Sequence, residues 1–392
     1  MPYIKLNIVL SLNTKRSAHV TRNNALFSTA PFPYNQSNFF QCETFMPLFT
    51  SAPKSLCFLR LSAIGDVCHA VAAVQAVQRH WPETKITWII GKVEAQLLEG
   101  LEGIEFIIFD KKAGYAGMKS VWKQLSGRRF DALVHMQLAL RASLLTLGIK
   151  AKYKVGFNKL RAKEGQWLFT NKRIDDVKSQ HVLDSFLSFV EYLGIPKSEP
   201  KWNMPISQLD TDWINQQIPA QQKVLVISPA ASKDERNWLT ERYAQFADYA
   251  IEQGYQVILC GSPSEREIQL GENIRQFMNH QATNLIGQTS LKQLLAVLNR
   301  ADVVLAPDSG PAHMATTQGT PVIGLYAHSN PKRTGPYLSL DTTVSVYEES
   351  ILAQHGKSSS ELPWGVRVKG SDLMKAITLE SVIDQFQALT HI

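Results

Sequence analysis

The sequence is poor in the features that would place it in several common classes. Cysteine is scarce: four residues in 392, Cys42, Cys57, Cys68 and Cys260, with no CxxC spacing. A disulfide framework and a zinc ribbon are therefore not expected, and a reducing compartment is the plain reading. No apolar run approaches the roughly 18 residues of a membrane-spanning helix. There is no Gly-x-Gly-x-x-Gly and no Gly-x-x-x-x-Gly-Lys-Ser/Thr, which argues against a dinucleotide-binding dehydrogenase and a P-loop NTPase. A formal net charge of +7 admits an anionic partner. No helix-turn-helix, zinc-finger or RNA-binding signature accompanies it, so nucleic acid is not the expected partner.

What is present is a long alternation of short apolar runs and amphipathic stretches. Residues 1–45 stand apart. They are rich in Asn, Ser, Thr and Phe, show no sustained period, and contribute +3 of the charge. Residues 8–12 lack the length and cleavage site of a signal peptide. With Met46 just before the first clear strand, we expect 1–45 to be a poorly structured extension or a misplaced start. From there the pattern is βα. Strands are predicted at 56–61, 86–90, 104–109 and 132–136, and helices from Val67 to Val77 and at 92–100, 115–127, 139–148 and 180–194. Four prolines mark 196–221 as a linker. A second series follows, with strands at 224–228, 256–260, 303–306 and 321–326. Ser264 and Ser290 are predicted to open helices as capping boxes. Beyond 326 the pattern is irregular until a helix at 371–390. Alternating β and α implies parallel sheets covered on both faces. The expected layout is a first domain over 46–205, a second over 206–345, and a C-terminal segment, 346–392, packing back towards the first.

The chemistry-bearing residues fall at the carboxyl ends of predicted strands, where open α/β sheets bind ligands. Val303-Val304-Leu305-Ala306 is followed by Pro307-Asp308-Ser309-Gly310-Pro311. A strand, a polar turn and a proline at a helix start leave free backbone N–H groups that attract phosphate. An ordinary turn capped by Asp308 or Ser309 is the competing reading. After strand 224–228, Ser232 brings a hydroxyl, and Lys233 and Arg236 bring cations that can hold phosphate oxygens. After strand 256–260, Glu265 could accept from a ribose, or simply favour a helix N-terminus. In the first half, Asp66 opens a helix either as a cap or as a general base. His69 reads as structural, and His313 as either a phosphate donor or packing beneath the loop. Residues 150–173 hold eight Lys or Arg against one acid, Glu164, with aromatics interleaved. That is a solvated loop and helix face, or a cradle for an anionic acceptor.

The stretch Leu59-Arg60-Leu61-Ser62-Ala63-Ile64-Gly65-Asp66-Val67, taken with Pro307-Asp308-Ser309-Gly310-Pro311-Ala312-His313 about 240 residues later, resembles glycosyltransferase family 9, the lipopolysaccharide heptosyltransferase family. The loop from Ala230 to Trp238, and Gly324-Leu325-Tyr326 with Ser329-Asn330-Pro331, are similar to it as well. The resemblance spans roughly residues 55–390. It implies a GT-B fold of two Rossmann-like domains facing a cleft. It also implies an inverting, metal-independent transfer, without cofactor, from ADP-L-glycero-D-manno-heptose to Kdo–lipid A or inner-core lipopolysaccharide. The catalytic role falls on Asp66. Donor contacts fall on Ser232, Arg236, Glu265, Thr289, Asp308, Ser309, Gly310 and His313; Ala231 stands where the family has a second hydroxyl. The basic segment would then serve Kdo carboxylates and phosphates, and Arg60, Arg141, Lys159 and Arg161 are the acceptor candidates. A cytoplasmic monomer in peripheral contact with the inner membrane is expected. Residues 156–167 lean towards the heptosyltransferase I type. The alternatives are another GT-B enzyme using a UDP-sugar and a non-catalytic nucleotide- or polyanion-binding protein.

Overall fold

The computed structural model describes residues 46–391; the expected extension over 1–45 lies outside the described residues. The first half runs β1 (Ser55–Leu59), α1 (Ile64–His80), β2 (Lys85–Gly91), α2 (Lys92–Leu97), β3 (Ile104–Phe109), α3 (Gly114–Gln124), β4 (Phe130–His135), α4 (Leu140–Leu145), β5 (Ala151–Gly156), β6 (Lys172–Arg173) and α5 (Val182–Leu193). The second runs α6 (Gln208–Gln217), β7 (Lys223–Ile227), α7 (Thr240–Glu252), β8 (Tyr255–Leu259), α8 (Glu265–Phe277), β9 (Thr283–Asn284), α9 (Leu291–Arg300), β10 (Val303–Pro307), α10 (Gly310–Gln318), β11 (Val322–Tyr326), α11 (Pro331–Thr334), β12 (Val344–Ser345), α12 (Tyr347–His355) and α13 (Leu379–Thr390).

The two halves repeat one topology. The sheets are ordered β3-β2-β1-β4-β5-β6 and β12-β11-β10-β7-β8-β9, and every pairing is parallel. Numbered within each half, both read 3-2-1-4-5-6, the doubly wound Rossmann order. Its crevice lies where the strand order reverses, between β1 and β4 and between β7 and β10. The central strands carry unbroken apolar runs because both faces are covered. Leu56 to Leu59, Val224 to Ile227 and Val303 to Ala306 are essentially inaccessible to solvent.

Several sequence expectations need correction. The basic stretch 150–173 is not a loop and helix face. It supplies β5, which pairs with β4, and the edge strand β6. Its lysines hid the strand because the outer positions of β5 remain partly in water. The proline-marked linker carries α6, capped by the Ser207 side chain and burying only Ile214, too thin an apolar stripe to register as a period. The irregular stretch after 326 contains α12. Ser264 does cap α8, but Glu267 turns away from the reciprocal bond and accepts from the Ser262 N–H at 2.7 Å. Ser290 forms the full capping box. Helix α13 packs on the second half, with Val382 and Phe386 among the α7 and sheet residues. From the C-terminal segment it is Trp364 that reaches the first half, donating from Nε1 to the Gln180 carbonyl at 2.7 Å.

The halves are not loosely tethered: Met46–Ile392 forms one contact unit. Helix α1 packs against α10, and one apolar cluster takes in Val67, Val71 and Val74 together with Ala312, Met314 and Leu294. Polar bonds also cross, from Lys292 to the Pro205 carbonyl and from Asn330 to Gln180. The loop after β1 and the start of α10 therefore meet face to face.

Candidate active site

Between the sheets lies a cleft of about 710 Å³, lined from the first half by residues 63–66 and from the second by the loops after β7, β8 and β10. Asp66 sits in the first turn of α1, where the helix dipole favours its charge. Its carboxylate is ion-paired with Arg60 and about one-third exposed to the cleft. Arg60 also donates to the Met136 carbonyl at 2.6 Å, and its guanidinium lies over Phe186. Burial lowers the Arg60 pKa, and the Asp66 carboxylate opposes that shift. The guanidinium is thus turned onto Asp66 and the β4 end, and it does not line the cleft where an acceptor would reach it.

On the facing wall, Arg236 is buried after β7, with one guanidinium nitrogen 4.0 Å from an Asp308 oxygen. Burial lowers its pKa, and the Arg367 charge adds to the effect. The loop that carries it is closed by Asn237, which accepts from the Ala231 N–H at 2.7 Å. Ala231 is buried, so its missing hydroxyl leaves a methyl on the wall. Ser309 occupies the position before α10 yet makes no cap bond, and its Oγ is buried without a partner. The same is true of Arg236 Nε, His313 Nδ1 and Arg333 Nε. All four of these residues line the one cleft. Native interiors rarely leave such groups unpaired, and four converging, together with the free N–H groups of the α10 first turn, describe a seat for an anion. His313 packs edge-on to His69, with centroids 4.6 Å apart, and His69 packs on His181 at 5.3 Å. Burial lowers the pKa of all three imidazoles.

Of the predicted site residues, the structure brings Asp66, Ser232, Arg236, Thr289, Asp308, Ser309, Gly310 and His313 together around this cleft. Glu265 is exposed and does not line it; Glu267 and Arg266 do. Glu267 holds the Ser262 N–H, and Arg266 holds the Ala231 carbonyl at 2.7 Å, so this pair ties the loops after β7 and β8. Arg141 and Lys159 are exposed and line neither cavity described here, whereas Arg161 is buried in a second, adjoining cavity. Two cations that line the cleft were missed, Arg333 and Arg367. Arg333 could have been found, because it follows the end of β11, the strand beside β10. Arg367 lies in a stretch without period and offered no signal. Among the described residues no cluster of His, Cys, Asp or Glu has the makings of a metal site, and no helix is long and apolar enough to cross a membrane.

Comparison with known proteins agrees with this geometry. The model of glycosyltransferase family 9 (heptosyltransferase) matches residues 118–364. The chain is 55% identical over 344 residues to the lipopolysaccharide core heptosyltransferase OpsX of Haemophilus influenzae, covering 88% of this chain and 99% of that one. It is 23% identical to lipopolysaccharide heptosyltransferase 1 of Escherichia coli K12, covering 71% and 89%. Among solved structures, a family 9 glycosyltransferase from Veillonella parvula superposes with a TM-score of 0.71 at 22% identity, covering 88% and 98%. The E. coli heptosyltransferase WaaC with ADP superposes with 0.66 at 18%, covering 86% and 99%. With two Rossmann-like sheets across a common cleft, the fold is GT-B, and the chain is a glycosyltransferase belonging to family 9, the heptosyltransferase family.

Proposed function

We propose that the enzyme transfers L-glycero-D-manno-heptose from ADP-heptose to the inner core of lipopolysaccharide, with inversion at the anomeric carbon and without a metal ion. The observation that carries this reading is the opposition of Asp66, on one half, to the unpaired Arg236, Ser309 and Arg333 groups on the other, all lining one cleft. The relatives named lipopolysaccharide heptosyltransferases supply the donor and acceptor class.

In this mechanism the ionised Asp66 carboxylate takes the proton from an acceptor hydroxyl as that oxygen attacks the anomeric carbon. The bond to the diphosphate breaks on the opposite face, and ADP leaves with the electron pair. Arg60 holds the carboxylate at the cleft wall. Charge growing on the diphosphate is met by Arg236, by the Ser309 hydroxyl, by the N–H groups of the α10 first turn and by Arg333. Fixed donors of this kind, aimed at developing charge, are a large source of catalysis. The acceptor hydroxyl is that of a Kdo residue on lipid A, at a peripheral site on the inner membrane. ADP release with purified ADP-heptose and de-acylated Kdo–lipid A tests the reaction, and turnover should survive EDTA. Lipopolysaccharide from a deletion strain, read by mass spectrometry, should be truncated to Kdo–lipid A; a core that keeps one heptose would assign the enzyme to a later transfer.

A further inference from the structure

Residues 366–369 form no helix or strand, yet their backbone is held firmly around Arg367. The Val366 carbonyl accepts from the Tyr347 hydroxyl at 2.9 Å. The Val368 N–H donates to the His328 carbonyl at 3.1 Å, and His328 Nδ1 donates back to the Val368 carbonyl at 3.2 Å. Gln354 brackets Lys369 in the same way, accepting from its N–H at 3.1 Å and donating to its carbonyl at 2.9 Å. Val368 is buried with Tyr347 and Ile351. Its neighbour Arg367 is exposed and lines the cleft, whereas Gly365 and Val366 line the smaller cavity beside it. The mount is fixed, but the guanidinium it carries is free: Arg367 makes no hydrogen bond or ion pair among the described residues.

The charges of the cleft leave this cation a task. Four arginines line it against three carboxylates. Asp66 is ion-paired with Arg60, Glu267 lies 3.7 Å from Arg266, and Asp308 lies 4.0 Å from Arg236. Arg333 and Arg367 have no such pair. Asp66 and Asp308 act on Arg333 through space, while the Arg367 charge adds to the burial that lowers the pKa of both Arg333 and Arg236. Arg367 is therefore felt by the cations of the second half, around the anion seat. A sugar nucleotide carries a negative charge on each of its two phosphoryl groups, and breaking the bond to the sugar adds to it. Positive side chains fixed where charge develops lower the barrier.

We propose that Arg367 is a further diphosphate-binding residue, whose free guanidinium engages the donor's phosphates from the solvent side of the cleft and meets the charge that grows as ADP leaves. The inference rests on the transferase reading above. Arg236 and Ser309 hold the diphosphate from the buried wall, and Arg367 closes on it from the open side. A guanidinium offers phosphoryl oxygens two parallel donors and takes part in no proton transfer.

The test compares Arg367→Ala and Arg367→Lys with the wild-type full-length enzyme. ADP binding is read by calorimetry, and turnover by ADP release from ADP-heptose with de-acylated Kdo–lipid A. Arg367→Ala should weaken ADP binding by about 10-fold or more, the worth of a charge-assisted hydrogen bond, and kcat should fall as well. Arg367→Lys keeps the charge and should recover most of the loss. Adenosine affinity, the acceptor KM and the melting temperature should not move, because Arg367 touches neither nucleoside, acceptor nor fold. An Arg367→Ala enzyme with ADP affinity and kcat within twofold of wild type overturns the proposal. So does a loss that is equal for adenosine, or one confined to the acceptor KM. Normal wild-type turnover in any of these cases leaves the transferase reading intact. Wild-type enzyme that neither binds ADP nor releases it would instead overturn that reading.

Discussion

Gly65→Ala should damage both stability and turnover, although Gly65 is helical and alanine is the better helix former. A Cβ at position 65 would stand 3.1 Å from His313 Cγ and 3.2 Å from its Nε2, and closer still to Cδ2. Ordinary contacts begin at 3.4 Å, so the imidazole would have to retreat by roughly an ångström. It has little room: His313 is buried and packs on His69, which packs on His181. His181 in turn is held by the Gly335 carbonyl, at 3.0 Å. The overpacking should cost about 1–3 kcal/mol, offset by up to about 1 kcal/mol of helix propensity. The functional loss should be larger. Gly65 neighbours Asp66, and His313 lies in the first turn of α10, so the methyl wedges the base away from the diphosphate seat. A displacement of about 1 Å can cost on the order of 100-fold in rate. Thermal unfolding and steady-state ADP release measure the two effects. His313→Ala should make room, so the double variant should be more stable than the sum of the single losses, with a coupling of about 0.5–3 kcal/mol. A Gly65→Ala enzyme with wild-type melting temperature and kcat, or strict additivity in the double variant, would refute the proposed wedge.

Asp66→Asn should keep ADP affinity in calorimetry and lose about 10²–10⁴-fold in kcat; near-normal turnover removes Asp66 as the base. Arg236→Ala should weaken ADP binding by about 10-fold or more, since a charged hydrogen-bonding group is lost from a buried wall; unchanged affinity rules it out as a phosphate ligand. Burial lowers the pKa of His135 to about 3 and that of His181 to about 4. These imidazoles are neutral when folded but take up a proton near pH 6.5 when unfolded, so the unfolded state binds more protons below that pH. Stability should be level above about pH 6.5 and fall towards pH 4, by up to about 1.4 kcal/mol per pH unit for each histidine. Urea unfolding at pH 7.5 and pH 5 checks this, and His181→Gln should flatten the fall; equal stability at the two pH values would contradict it.

Fully covered parallel strands leave an unmistakable trace in a chain, because both faces must be apolar. That is why the centres of both sheets, and the polar turns that end β1, β7 and β10, are legible in the sequence. Asp66, Arg236 and Asp308 could be named from those turns, since a strand's carboxyl end is where such sheets bind ligands. Elements with only one thin apolar contact left no such trace: α6 buries a single side chain, and β5 keeps lysines at its solvent edge. Glu265 and Glu267 both sit in the first turn of α8, and sequence position could not say which turns inward. That depended on the Ser262 N–H, a partner set by how the loop folds back. Arg60 and Arg161 looked alike as acceptor cations, yet one is held against Asp66, six residues along the chain, and the other against Trp364, about 200 residues away and beside it only in space. Local periodicity follows from which face of an element meets the core, so it is written along the chain. Convergence of Arg333 and Arg367 on the cleft, and of Trp364 on the first half, comes from packing two sheets and a C-terminal crossover together, and such long-range placement has no local period to read.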